Sequence, residues 1–133
     1  MADTPPIVGS SGLDIDAATT YLVAHAAAHS TRRCAHAVRS ALLAGGVSFA
    51  TFPEDAKAYG PYLLAKGFIV IPPTRYVPKK GDVVVIQSYV GGSTAGHITM
   101  FSGTGWYSDF VQTDMWSGPG YRTNQPDYVI YRP

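Results

Sequence analysis

A single cysteine and four histidines are the residues of this 133-residue sequence best suited to covalent chemistry. A thiol attacks well only as the thiolate, so it needs a base that takes its proton and later returns it to a leaving group. Imidazole, with an ordinary pKa near ~6.5, suits both steps. Cys34 follows Ser30-Thr31-Arg32-Arg33 and precedes an apolar pattern carried by Val38, Leu42 and alanines. This places the thiol in the first turn of a helix, where unpaired N–H groups and the two arginines favour negative charge. His36 lies two residues further on and therefore on another helix face. His25 and His29 stand one turn apart in an alanine-rich helix, without a third ligand at a suitable spacing for a metal.

His97 has the better setting for a base. It opens the run His97-Ile98-Thr99-Met100-Phe101 directly after the flexible stretch Val90 to Gly96, which predicts an imidazole at a strand edge. If Gly103-Thr104-Gly105 turns a hairpin, Ser102 faces Trp106 and Thr99 faces Asp109. His97 and Asp109 are then diagonal neighbours on one face. Asp109 would orient the imidazole and support its charged form. A one-residue slip would turn it away. Cys34, His97 and Asp109 are the candidate catalytic residues. Each has a plainer reading: a core cysteine, a structural histidine and a turn carboxylate.

The elements that must position these residues change character along the chain. A leader over 1–13, rich in Pro, Gly and Ser, gives way at Asp14 or Asp16 to a helix through roughly His29. A second helix begins at Arg32, capped by Ser30 or Thr31, and ends at Gly45-Gly46. A third segment runs from Pro53 to Lys66, kinked or split at Gly60-Pro61, and stops at Gly67. From Phe68 onward β-branched and aromatic runs predict strands over Phe68 to Ile71, Val83 to Ile86, His97 to Phe101, Trp106 to Phe110 and Tyr128 to Tyr131. Helices first and antiparallel strands after read as an α+β fold, one domain over 1–133 with helices packed on one side of a meandering sheet.

Composition narrows the function. Charged residues make up only 14%, the net charge is +1 and the two signs are interspersed, which argues against a nucleic-acid partner. No stretch approaches the ~20 apolar residues of a membrane span, and the amino terminus has no basic and apolar export signal. With one cysteine there is no internal disulfide.

The stretch Arg33-Cys34-Ala35-His36-Ala37-Val38-Arg39, with Ala44-Gly45-Gly46 after it, resembles the nucleophile helix of the NlpC-type and CHAP amidases of the papain-like superfamily. Lys80-Gly81-Asp82-Val83-Val84-Val85 is similar to that superfamily's Gly-Asp strand. Gly96-His97-Ile98-Thr99-Met100-Phe101 is similar to its Gly-His strand, which bears the base. The segment from Gly105 to Gln112, Trp116, Gly118-Pro119 and the terminal Tyr128 to Arg132 look like amidase effectors of type VI secretion and related phage wall hydrolases.

The resemblance implies a papain-like fold with Cys34 as nucleophile and His97 as base. The third catalytic residue in many members is a histidine, asparagine or glutamate, and Asp109 departs from that pattern. It implies peptidoglycan peptide stems as substrate and no cofactor. It further implies an effector made without a Sec signal, active in the periplasm of a target bacterium and neutralised by a cognate periplasmic immunity protein. Two other functions stay open on the sequence. One is a deamidase or transglutaminase acting on protein glutamines with the same pair; the other is a non-catalytic wall-binding module.

Overall fold

Helices precede the first four strands, as the sequence predicts, but a short helix that it did not predict, Pro119–Asn124, comes before the last strand. The computed structural model describes residues 10–133. The elements are α1 (Ile15–His25), α2 (Cys34–Ala44), a 3-10 turn at Ala56–Ala58, α3 (Gly60–Ala65), β1 (Ile69–Ile71), β2 (Val83–Ile86), β3 (His97–Phe101), β4 (Trp106–Tyr107), α4 (Pro119–Asn124) and β5 (Tyr128–Arg132). The strands form one sheet in the order β1-β5-β2-β3-β4, every neighbouring pair antiparallel. Of the leader expected over 1–13, residues 1–9 lie outside the described residues, whereas Leu13 is fully buried.

Strand periodicity divides the core. Val83 and Val85 of β2 and Ile98 and Met100 of β3 pack with Leu22, Val38, Leu42, Tyr59 and Leu63 of the helical layer. Val84, Ile86 and Ile130 form a second cluster with Tyr121 of α4 on the opposite face. The sheet is thus covered on both sides, not on one as expected, because α4 and the aromatic segments around it pack over the face that the first helices leave open. All four residues of β2 are buried, which explains why Val83 to Ile86 is a continuous apolar run rather than an alternating one.

The helix boundaries differ from expectation for identifiable reasons. Asp14 caps α1, accepting from the Ala17 N–H at 3.0 Å. That helix stops at His25 instead of His29 because Ala27 pairs with the chain near Phe110: its N–H donates to the Asp109 carbonyl at 2.9 Å, and its carbonyl accepts from Val111 at 3.1 Å. Long-range pairing here overrides the helical preference of the alanines. Gly46, at φ +91°, ends α2 in the left-handed conformation that glycine tolerates. The segment from Pro53 divides into the 3-10 turn and α3, with Pro61 in the first turn of α3.

Candidate active site

Cys34 is the first residue of α2, and the segment in front of it is held from a distance. The N-cap position, Arg33, makes no side-chain cap. One carboxylate oxygen of Asp109 instead accepts from the Thr31 N–H at 2.6 Å, the Thr31 hydroxyl at 2.8 Å and the Arg33 N–H at 3.3 Å. Its other oxygen accepts from the Ser108 hydroxyl at 3.1 Å. Between the two backbone donors Arg32 sits at φ +62°, a left-handed conformation that a long side chain adopts at a cost. The turn makes a concave pair of N–H donors suited to one anion, and Asp109 fills it. Burial pushes the Asp109 carboxyl up, but the hydrogen bonds from Thr31, Arg33 and Ser108 outweigh it and leave its pKa below the ordinary value.

His97 opens β3 at a backbone position where only glycine fits before it. Gly96 has φ +69°, and a Cβ there would meet the Ile86 carbonyl oxygen at 2.4 Å. The imidazole is 5% exposed, and its Nε2 lies 2.8 Å from Oε1 of Gln112. The Gln112 amide nitrogen donates to the carbonyls of Asp114 at 3.0 Å and Met115 at 3.2 Å. Two carbonyl acceptors on one side of the amide fix which end is nitrogen, so Oε1 must face the imidazole. Histidine then donates from Nε2–H, and Nδ1 is left as the basic nitrogen.

Cys34, His97, Asp109 and Tyr121 line one cavity of about 550 Å³. The backbone N–H groups of Ile98, Ala35 and Cys34 itself stabilise the thiolate, yet burial, the largest influence, and the Asp109 charge push the thiol's pKa up overall. The helix start and its arginines predict the opposite direction; desolvation prevails because the Cys34 side chain is partly buried against the core. Burial likewise pushes His97 below its ordinary value, against the Gln112 hydrogen bond and the Asp109 charge, which both raise it. Both shifts favour the uncharged forms, a thiol and a neutral imidazole, in the cavity that the two residues share.

The predicted hairpin register is off by one. Phe101 faces Trp106 and Met100 faces Tyr107, whereas the sequence argument set Ser102 against Trp106 and Thr99 against Asp109. β4 ends at Tyr107, and the chain doubles back there: Tyr107 bridges to Val111, and the Gln112 N–H donates to the Trp106 carbonyl at 3.0 Å. That reversal carries Gln112 to the imidazole and turns the Asp109 carboxylate to the backbone before α2. The expected imidazole-orienting contact is made by Gln112, and Asp109 acts on the pair through its charge and through the Cys34 segment.

Gln112 was missed by sequence reasoning, and Tyr121 reads from the sequence most simply as core or loop packing, with lining a groove as the alternative. An acceptor for an imidazole N–H can be an amide oxygen as well as a carboxylate, which is the signal that would have put Gln112 among the candidates. Tyr121 does line the cavity. Its ring lies 5.9 Å from that of His97 and 4.9 Å from that of Tyr89. Burial, with the Cys34 and Tyr89 charges, holds its phenol up to about 12, so it remains a proton donor.

No protein-family model matches the chain, and no curated protein matches it. Two solved structures do. A chain of the native type VI effector–immunity complex Tae3–Tai3 from Ralstonia pickettii superposes with a TM-score of 0.82 at 39% identity, covering 89% of this chain and 97% of that one. The chain belongs to the Tae3 family of type VI effectors. The selenomethionine form of the same complex gives a TM-score of 0.80 at 39% identity, over 87% of this chain and 99% of that one. The α+β architecture expected from the sequence, a papain-like one with helices on an antiparallel sheet, is thus the Tae3-family fold. Both Tae3 structures are complexes of an effector with its immunity protein.

Proposed function

We propose that the chain is a cysteine amidase of the NlpC/CHAP kind that hydrolyses amide bonds in the peptide stems or crosslinks of peptidoglycan. It would serve as an antibacterial effector delivered by type VI secretion and act in the periplasm of the target cell. The observation that carries this reading is the relay in which Gln112 fixes His97 with its basic nitrogen free, in a cavity shared with Cys34. Membership of the Tae3 effector family supports the cell-wall substrate, and the effector–immunity complexes of its relatives support a cognate immunity protein as partner.

The chemistry follows from the side chains. His97 Nδ1 takes the thiol proton as Sγ attacks the amide carbonyl, so a neutral pair becomes an ion pair only as the carbon–sulfur bond forms. N–H groups at the start of α2 stabilise the oxyanion, and the Tyr121 hydroxyl in the same cavity adds a side-chain donor. The imidazolium gives its proton to the leaving amine as the carbon–nitrogen bond breaks, leaving a thioester. Water then attacks the thioester with His97 again as base, releasing the carboxylic acid and restoring the thiol.

Digestion of purified Gram-negative sacculi by wild type and by Cys34→Ala, with mass spectrometry of the soluble fraction, tests the reading. New stem-peptide fragments from wild type alone are expected. Intact sacculi with a folded wild type, together with ammonia release from protein glutamines, would replace it with a deamidase.

A further inference from the structure

The cavity around Cys34 is one arm of a longer cleft. The same cysteine lines a second hollow of about 400 Å³, which extends along α2 to Phe52, Pro53 and Glu54. The two arms differ in charge. The arm with His97 is lined by hydroxyls and by one charge of each sign, Arg32 and the Asp109 carboxylate, which accepts from the Thr31 and Arg33 backbone N–H groups and the Thr31 hydroxyl. The other holds Arg32, Arg33, Arg39 and His36 against one carboxylate, Glu54.

Among the described residues Lys80, Arg122 and Arg132 each pair with an aspartate, while no carboxylate pairs with Arg32, Arg33 or Arg39. Arg39 is nonetheless fixed. It donates to the Tyr59 hydroxyl at 2.8 Å and to His36 Nδ1 at 3.3 Å, and its guanidinium carbon lies 3.8 Å from the centre of the Phe52 ring. Those contacts use two of its five N–H donors, and neither partner carries a negative charge. The field is felt locally: His36 is pushed below its ordinary pKa by desolvation and then by Arg33 and Arg39. A fixed, half-buried guanidinium that no carboxylate among the described residues pairs with, beside the candidate nucleophile, is arranged for an anion that arrives with the substrate.

We propose that this arm, centred on Arg39 and Arg33, is a subsite for a free carboxylate of the substrate peptide, so that the enzyme selects stem peptides bearing a carboxylate close to the scissile amide over those in which it is amidated. The inference rests on the amidase reading. It adds a preference that the cysteine chemistry does not require, since the attacked amide is neutral.

The test is kinetic, on two synthetic crosslinked stem peptides that differ only in whether the carboxylates flanking the bond are free or carboxamides. The ratio of their kcat/KM values should favour the free acid by about tenfold or more, the order that one hydrogen bond to a charged group contributes. The difference should lie in KM and shrink as salt is raised. Arg39→Gln and Arg33→Gln should bring the ratio toward one, and Arg39→Lys should keep part of it. Being a ratio within one variant, the readout does not depend on the folded fraction. Equal turnover of both peptides by wild type, or a ratio unchanged in both glutamine variants, overturns the subsite and leaves the amidase standing. Cleavage of neither peptide, with sacculi also intact, removes the amidase reading itself.

Discussion

Asp82 and Asp109 are both buried carboxylates with several hydrogen bonds each, and they do different things. Asp82, fully buried, binds Arg132 through Nε at 2.8 Å and Nη2 at 2.9 Å, the Tyr76 hydroxyl at 2.6 Å and the Lys79 N–H at 2.9 Å. A guanidinium neutralises it, and the cluster ties β5 to the turn before β2. Asp109 has no cation among its hydrogen-bond partners; it accepts from Thr31, Arg33 and Ser108 and keeps its charge at the wall of the Cys34 cavity. Burial and bond count do not separate frame from site. What separates them is whether the charge is neutralised locally and which backbone segment the carboxylate holds.

The largest effect should follow from breaking the frame. Asp82→Ala strands the Arg132 guanidinium and the Tyr76 hydroxyl, and removing one partner of a buried pair costs about 3–5 kcal/mol. Urea unfolding should show this loss, while turnover per folded molecule stays near that of wild type. Asp109→Ala should reverse the proportions. Stability falls by about 1–3 kcal/mol, as expected for unpaired donors that partly reach water. Turnover per folded molecule should fall by more, because the turn that presents Cys34 loosens. If Asp109→Ala costs stability alone, the contrast collapses and both carboxylates are structural.

Gln112→Leu keeps the volume and removes the acceptor that sets the imidazole tautomer. Turnover should fall about tenfold to a hundredfold, less than the 10²–10⁴ that a general base contributes outright. Cys34 alkylation in the free protein should change little. An unchanged rate would show that packing in β3 is enough to orient His97.

The fold was legible where local pattern and tertiary context agree. β2 and β3 fall on the boundaries that their β-branched runs predict, since hydrophobic strands bounded by glycine have few competing conformations. The placement of Cys34 at a helix start and of His97 on a glycine-preceded strand was legible because both are local features. The rest depended on distance. The end of α1 is set by pairing of Ala27 with a segment some 80 residues later, and α2 starts without the side-chain cap expected from Ser30 or Thr31, the turn before it being held by Asp109. A hairpin one residue tighter than counted then moved the orienting role from Asp109 to Gln112. The direction of the Cys34 shift was misjudged because the sequence shows the helix and the arginines but not the partial burial of the side chain against the core.

The smallest expected effect is also the sharpest comparison of the two aspartates. Wild-type kcat/KM should rise with pH as His97 loses its proton, at a pH below the ordinary imidazole value because burial disfavours the imidazolium. It should fall only above the ordinary thiol value, because burial and Asp109 hold the Cys34 proton on. The Asp109 charge raises both groups, supporting the imidazolium and opposing the thiolate. Asp109→Asn should therefore move both limbs to lower pH. Asp82→Asn should move neither, since that charge is paired with Arg132. A profile measured on a soluble stem peptide at fixed ionic strength reads both limbs. If the acid limb of Asp109→Asn moves up or stays fixed, Asp109 does not act on the pair through its charge and its contribution reduces to holding the Thr31–Arg33 turn.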